Sequence, residues 1–262
     1  LDVLRSVSDI VVVVDIRKEI KVKVLLTSGG TKTYIDEVRH IGNMSSGTFG
    51  NHICNAFLKD GHDVTFLYAE GSKCPHKVSV DLRVENDCES KFNEALSFFK
   101  KHKTQYLEYP YKDFESYAEN LRGLLLNEYD IVILCAAVSD YAPIKSAGKI
   151  SSELDVLTIH MEKTPKLIRE AKKLNSNAFL VGFKLLVDST EEQLQQAMEK
   201  QMDIANSDMV VGNDLRDIKA NNHTLRLLFK NKQIKTFSNY GGSELAELLV
   251  KEIIGQVKGK LA

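Results

Sequence analysis

Short apolar runs along this chain alternate with longer stretches in which apolar residues recur at helical spacing. Residues 21–26 form a strand-length apolar run that stops at Thr27-Ser28-Gly29-Gly30-Thr31. A strand ending in a glycine turn is how a nucleotide-binding βαβ unit opens. A polar stretch leads to Gly50, around which Phe49, Ile53, Ala56 and Phe57 share one helical face before Asp60-Gly61-His62 stops the helix; residues 63–68 then read as a second strand. Helices are predicted over 92–99 and 114–126. Residues 131–136 are continuously apolar, the pattern of a strand buried on both faces of a parallel sheet. Further on come a β-like stretch at 156–161, a helix after Pro165, a strand at 178–183, a helix at 190–204 with Ser189 and Glu192 as its capping box, and a strand at 208–212. Residues 224–229 and 233–237 flank the polar turn Lys230-Asn231-Lys232 as a β-hairpin, and a helix over 243–254 closes the pattern. Strands alternating with helices predict an α/β fold: a single doubly wound, mostly parallel, Rossmann-like sheet with an antiparallel hairpin added near the C-terminus. Residues 1–20 fit no element and are read as an N-terminal extension to a single domain over 21–262.

Composition narrows the partners. Lys plus Arg number 35 and Asp plus Glu 36 in 262 residues, so the formal charge of −1 offers no general attraction to nucleic acid or to an anionic membrane. An anionic ligand must be met by local geometry. Cys54, Cys74, Cys88 and Cys135 have neither CxxC spacing nor a His pair beside them, which argues against a structural zinc or a disulfide framework. The apolar run at 10–14 is far short of a signal peptide or a membrane span, so a cytoplasmic protein is expected.

Four segments carry candidate chemistry. Gly29 and Gly30 after the first strand would let backbone N–H groups approach a phosphate, with Thr31 adding a hydroxyl, or would simply form a tight turn. Asn43-Met44-Ser45-Ser46-Gly47-Thr48-Phe49-Gly50 falls at the start of the first helix, where Ser45 or Ser46 could meet an anion or merely cap the helix. Ala136-Ala137-Val138-Ser139-Asp140-Tyr141 follows the buried strand and places small residues and a carboxylate where open α/β sheets bind ligands. Lys145 and Lys149 lie in a Gly/Ser-containing loop suited to closing over a phosphate or to remaining in solvent. Tyr141 and Lys145 also match YxxxK, the pair of short-chain dehydrogenases, but Pro143 between them blocks a regular helix. An oxidoreductase of that kind, or a nucleotide-binding module without catalysis, are the alternatives these residues leave open.

Taken in order, the segments resemble the phosphopantothenate–cysteine ligase family, also called phosphopantothenoylcysteine synthetases, and look closest to its stand-alone bacterial form. The residues carrying the resemblance run from Thr27-Ser28-Gly29-Gly30-Thr31 through Asp36, Arg39, Asn43 to Gly47, Ala137 to Tyr141, Lys149 to Ser152, Lys163 to Lys166, Gly182 to Asp188, and Asn213-Asp214. The resemblance implies activation of the carboxylate of 4′-phosphopantothenate by CTP or ATP with Mg²⁺, giving an acyl-nucleotidylate that L-cysteine converts to an amide in coenzyme A biosynthesis. It further implies that Lys149 assists acyl-nucleotidylate formation and that Asn43 binds the substrate or intermediate carbonyl. Gly29, Gly30 and Thr31 would line the triphosphate beside Ser45, Ser46 and Gly47, with Asp140, Thr164, Pro165, Lys166, Leu167 and Phe183 contacting the nucleotide. Ala137 would border the site and Arg39 would meet the substrate phosphate. CTP-using members often carry two lysines one turn apart on the helix after Gly182-Phe183; here Lys200 takes the first place and Ile204 the second. The family also implies a homodimer with a site completed by the neighbouring subunit. The resemblance names no metal ligands.

Overall fold

The computed structural model describes residues 21–78, 85–219 and 223–261; the N-terminal extension over 1–20 lies outside them. The first apolar run is β1 (Lys23–Ser28), which continues past the expected end because Thr27 and Ser28 are buried along with the aliphatic residues. After it come two short strands, β2 (Lys32–Tyr34) and β3 (His40–Gly42), then α1 (Thr48–Lys59) and β4 (Asp63–Ala69). The chain continues through α2 (Glu85–His102), β5 (Tyr106–Tyr111), α3 (Phe114–Leu125) and β6 (Ile131–Leu134). The second half holds β7 (Tyr141–Pro143), β8 (Met161–Lys163), α4 (Ile168–Leu174), β9 (Phe179–Leu186), α5 (Glu191–Ala205) and β10 (Met209–Asp214). A short α6 (Leu215–Lys219), the hairpin β11 (Leu225–Phe229) and β12 (Ile234–Phe237), and α7 (Gly242–Leu261) complete it.

Eight strands form one sheet in the order β12-β11-β10-β9-β6-β1-β4-β5. The six from β10 to β5 run parallel, and β11 and β12 are antiparallel. Side chains alternate between two dry layers, as the period of a strand requires. Val24, Leu26, Ile131, Ile133, Val181 and Val211 face α1 and α7, whereas Leu25, Val132 and Leu180 face α3 and α4. On that second face Val210 and Leu228 meet Leu194, Met198 and Met202 of α5. Helices thus cover both faces, and the doubly wound sheet with its antiparallel hairpin is as the alternation predicts.

Several local expectations are corrected. No stretch read as a strand corresponds to β5; its exposed Leu107, Glu108, Tyr109 and Pro110 lack an apolar run, and proline is tolerated there because β5 is an edge strand. The β-like stretch at 156–161 becomes a strand only at Met161–Lys163, the part that finds a partner in β7; Val156 and Leu157 remain exposed. Neither Ser45 nor Ser46 is the N-cap of α1. That place is taken by Gly47, left-handed at φ 74°, while the Ser46 hydroxyl, one residue earlier, shares a hydrogen bond with Thr48 Oγ1 at 2.8 Å and accepts from the Thr48 N–H at 3.4 Å. The capping box of α5 is Thr190 with Gln193, one residue beyond the expected pair. Tyr141 and Pro143 lie in β7, so the YxxxK residues are not one helical turn apart. Among the described residues no helix is long and apolar enough to cross a membrane.

Candidate active site

From β1 the chain winds through β4 to the β5 edge, and from β6 it winds the other way through β9 and β10. The reversal lies between β1 and β6. A crevice opens at such a point beyond the carboxyl ends of the strands, and the loops that follow β1 and β6 meet there. Gly29 adopts φ 84°, where a side chain would be strained, and its Cβ would lie 2.6 Å from Ala69 Cβ. A Cβ on Gly30 would collide with the carbonyl oxygen of Asn43. Bare backbone at these positions therefore lets the segments around residues 30, 43 and 69 converge.

The two loops are sewn together. Gly30 bridges Ala137; the Thr31 N–H donates to the Ala137 carbonyl at 3.0 Å, and the Ala137 N–H donates to the Gly29 carbonyl at 2.8 Å. Thr31 Oγ1 accepts from the Ser139 N–H at 2.9 Å and shares a hydrogen bond with Ser139 Oγ at 3.0 Å. Thr31 is fully buried with its N–H and hydroxyl engaged in this seam, which makes it part of the frame of the crevice. Asn43 follows β3 and reaches the same place from the other side. Its N–H donates to Thr31 O at 3.2 Å and its side-chain Nδ2 donates to Ala137 O at 2.9 Å, while the residue stays exposed.

The N-terminus of α1 points at this seam. Ser28 Oγ donates to Gly47 O at 3.3 Å, and the Lys73 N–H donates to Ser46 O at 2.9 Å, so the helix start is fixed against the ends of β1 and β4. Ser45, Ser46 and Gly47 accordingly stand together beside Gly29 and Asn43, with the positive end of the helix dipole behind them. On the β6 side, Asp140 is exposed and paired with Lys166. The Thr164 N–H donates to Asp140 O at 3.0 Å and Thr164 Oγ1 to Ser139 O at 2.6 Å. The 164–167 segment is thereby docked on the 139–140 loop, with Leu167 buried as its anchor.

Lys149 is exposed on the loop between β7 and β8. That loop leans on the turn between β2 and β3: the Glu37 N–H donates to Gly148 O at 3.1 Å, and the Ser146 N–H to Ile35 O at 2.9 Å. Asp36, wholly buried in the turn, accepts from the N–H groups of Val38 (2.8 Å), Arg39 (2.6 Å) and Ile150 (3.1 Å). Burial pushes its carboxyl pKa up, but these three N–H groups together with the Arg39 guanidinium outweigh it and leave the pKa below the ordinary value. Arg39 Nε lies 3.3 Å from Asp36 and its Nη2 donates to the Ile150 carbonyl. In this structure the guanidinium therefore braces a loop.

Three rings meet where α1, β9 and the segment before β11 come together. Phe183, near the end of β9, meets Phe49 edge-on at 6.2 Å, and Phe49 meets His223 at 4.9 Å. Asn213 Nδ2 donates to His223 Nε2 at 2.7 Å, and burial lowers the imidazole pKa, both of which favour the neutral ring. The sequence singles out neither Phe49 nor His223 as part of this contact: Phe49 reads as one more residue of an apolar helix face, and His223 stands alone in its segment. Lys200 is exposed on α5, and among the described residues no hydrogen bond or ion pair ties it to these loops. Its neighbour Gln201 is the α5 residue that reaches the sheet here, with its amide against Gly182.

A family model described as DNA/pantothenate metabolism flavoprotein C-terminal domain matches residues 20–101 and 117–256. The chain is 33% identical over 231 residues to the coenzyme A biosynthesis bifunctional protein CoaBC of Thermococcus kodakarensis, covering 88% of this chain and 50% of that protein. It is 30% identical over 224 residues to phosphopantothenate--cysteine ligase 2 of Oryza sativa subsp. japonica, covering 75% of this chain and 69% of that protein. The chain spans about half the length of the bifunctional relatives it matches. Among solved structures, the DNA/pantothenate metabolism flavoprotein from Streptococcus pneumoniae superposes with a TM-score of 0.73 at 28% identity, over 90% of this chain and 99% of that one.

Proposed function

This chain belongs to the DNA/pantothenate metabolism flavoprotein C-terminal domain family, and from that premise we propose that it joins 4′-phosphopantothenate to L-cysteine in coenzyme A biosynthesis. The observation that carries the reading is the junction of Asn43, Ala137 and Gly30 at the sheet's reversal point, with the Lys149 loop docked on the same hairpin that delivers Asn43. A carboxylate is a poor acyl donor, so the reaction must hold two anions together and neutralise the charge that builds between them. The substrate carboxylate attacks the α-phosphorus of a nucleoside triphosphate and pyrophosphate leaves. The cysteine amine then attacks the acyl carbon, and the nucleoside monophosphate departs.

Lys149 supplies positive charge at the α-phosphate during the first step. Asn43, held by Ala137 O through Nδ2 and therefore presenting its side-chain oxygen outward, orients the acyl group for the second. Ser45, Ser46 and Gly47 at the α1 N-terminus, with Gly29 and Gly30, receive phosphate oxygens. Asp140, Phe183 and the segment Thr164-Pro165-Lys166-Leu167 border the nucleotide. CTP is the preferred triphosphate in this reading and ATP the alternative. Among the described residues no three or more of His, Cys, Asp and Glu cluster as a metal site; in this reading Mg²⁺ arrives on the triphosphate oxygens. Exposed Val38, Ile41, Met44, Ile144, Val156 and Met161 crowd the two small strand pairs beside the crevice, an apolar surface of the kind a second copy covers, which supports a homodimer.

Purified protein mixed with 4′-phosphopantothenate, L-cysteine and Mg²⁺ is expected to release pyrophosphate with CTP or with ATP. Folded protein that releases none with either nucleotide would refute the ligase, and nucleotide binding without turnover would identify a sensing module in its place.

A further inference from the structure

We propose that Asp36 is a positioning residue for the first half-reaction: its buried carboxylate grips the backbone beside Lys149 and holds that lysine over the crevice. The proposal rests on the reading of Lys149 given above. Asp36 is the one acid in the β2–β3 turn whose side chain is fully buried, and each of its oxygens faces two partners. Oδ1 takes the N–H groups of Val38 and Arg39, which shape the turn itself. Oδ2 takes the Ile150 N–H, across the gap to the other loop, with Arg39 Nε alongside. Arg39 completes the grip by donating to the Ile150 carbonyl, so both backbone polar groups of Ile150, the residue after Lys149, are held from one turn.

Residues 144–149 are all exposed, so burial does not fix them; the grip on Ile150 acts beside three backbone bonds, Ser146 N–H to Ile35 O, Glu37 N–H to Gly148 O and Ile144 N–H to His160 O, and is the one that holds the residue after Lys149. A lysine on a loose loop supplies charge only in the fraction of conformers that reach the phosphate. Misplacement by about 1 Å can cost on the order of 100-fold in rate. The same turn leads through β3 into Asn43, so one hairpin sets the position of both residues assigned to the chemistry.

The test is Asp36→Asn in the full chain. The amide keeps the shape but must aim an NH₂ at one pair of N–H donors, whichever way it is turned. Acyl-nucleotidylate formation, followed as pyrophosphate release without cysteine, is expected to fall about 100-fold, with KM for the nucleotide changed less than kcat. In a Lys149→Gln background the same substitution is expected to cost almost nothing more, because Asp36 acts through Lys149; losses that multiply would overturn the proposal. Hydrogen exchange supplies an arm that needs no variant. In the unaltered protein the Ile150 N–H should exchange at least tenfold more slowly than the N–H groups of residues 151–155, and equal rates would overturn the grip. If the unaltered protein releases no pyrophosphate, the ligase reading fails and exchange alone judges the loop; if it does and Asp36→Asn matches it, the positioning role fails and the ligase stands.

Discussion

The eight-stranded sheet and the two small strand pairs beside it are held in opposite ways. In the sheet, β1 and β6 are buried on both faces, and aliphatic side chains such as Leu25, Ile131 and Ile133 are removed from water among many neighbours. In β2–β3 and β7–β8 most side chains are exposed, apolar ones included, and order comes from a handful of polar contacts centred on Asp36 and the Thr31–Ser139 seam. A burial-stabilised region loses stability in proportion to what is removed. A region pinned by few contacts can lose its geometry with the overall stability intact, and the residues proposed for chemistry stand on that second region.

Four experiments break or sharpen this contrast. Lys149→Gln should slow pyrophosphate formation by about 100- to 1000-fold, as expected for the loss of one charge-stabilising donor, while the denaturation midpoint stays put; a shifted midpoint would mean that the loop shares in the fold's stability. Ile133→Ala opens a cavity in the centre of the sheet and should cost about 2–5 kcal/mol in urea unfolding, leaving the relative rates of the two half-reactions unchanged. Thr190→Ala removes the Thr190 side of the α5 capping box, and a loss of about 1 kcal/mol is expected by the same measurement. The smallest effect appears only in acid. Asp214 accepts from the Ser189 and Arg216 N–H groups and from the Ser189 hydroxyl, which lowers its pKa from 3.8 to about 2. A lowered carboxyl pKa contributes stability that is complete above the unfolded value and is lost as pH falls through about 4 toward about 2. Melting temperatures recorded across that window should fall more steeply for the unaltered chain than for Asp214→Asn.

The same contrast explains what could be read from the amino acids alone. Strands β1 and β6 announce themselves because burial on both faces demands uninterrupted apolar runs, and the glycine turn and Ala137 loop follow directly from where those runs stop. Strand β5 was illegible because an edge strand with Pro110 and exposed Leu107 needs no such pattern. The caps of α1 and α5 were displaced by a residue or two because several neighbouring Ser, Thr and Gly residues could serve, and only the backbone angles decide among them. Gly29, Gly30, Ser45 to Gly47, Asn43 and Ala137 do come together, as do Asp140 and the 164–167 segment. Among the described residues no hydrogen bond or ion pair ties Lys200 to them. The part played by Asp36 could not be read at all, since its decisive partner, Ile150, lies 114 residues away and contributes only a backbone N–H, which every non-proline residue has.

That separation also dictates an order of events as the chain folds. Bringing residues 36 and 150 together closes a long loop, and its entropic cost falls steeply once β1 and β6 are already paired and only the short arms from residues 28 and 134 remain to be joined. The grip on the Lys149 loop is therefore among the last contacts to form. During refolding, buried-tyrosine fluorescence from the sheet should return ahead of pyrophosphate release, with an interval in which the core is native and the Lys149 loop is still free.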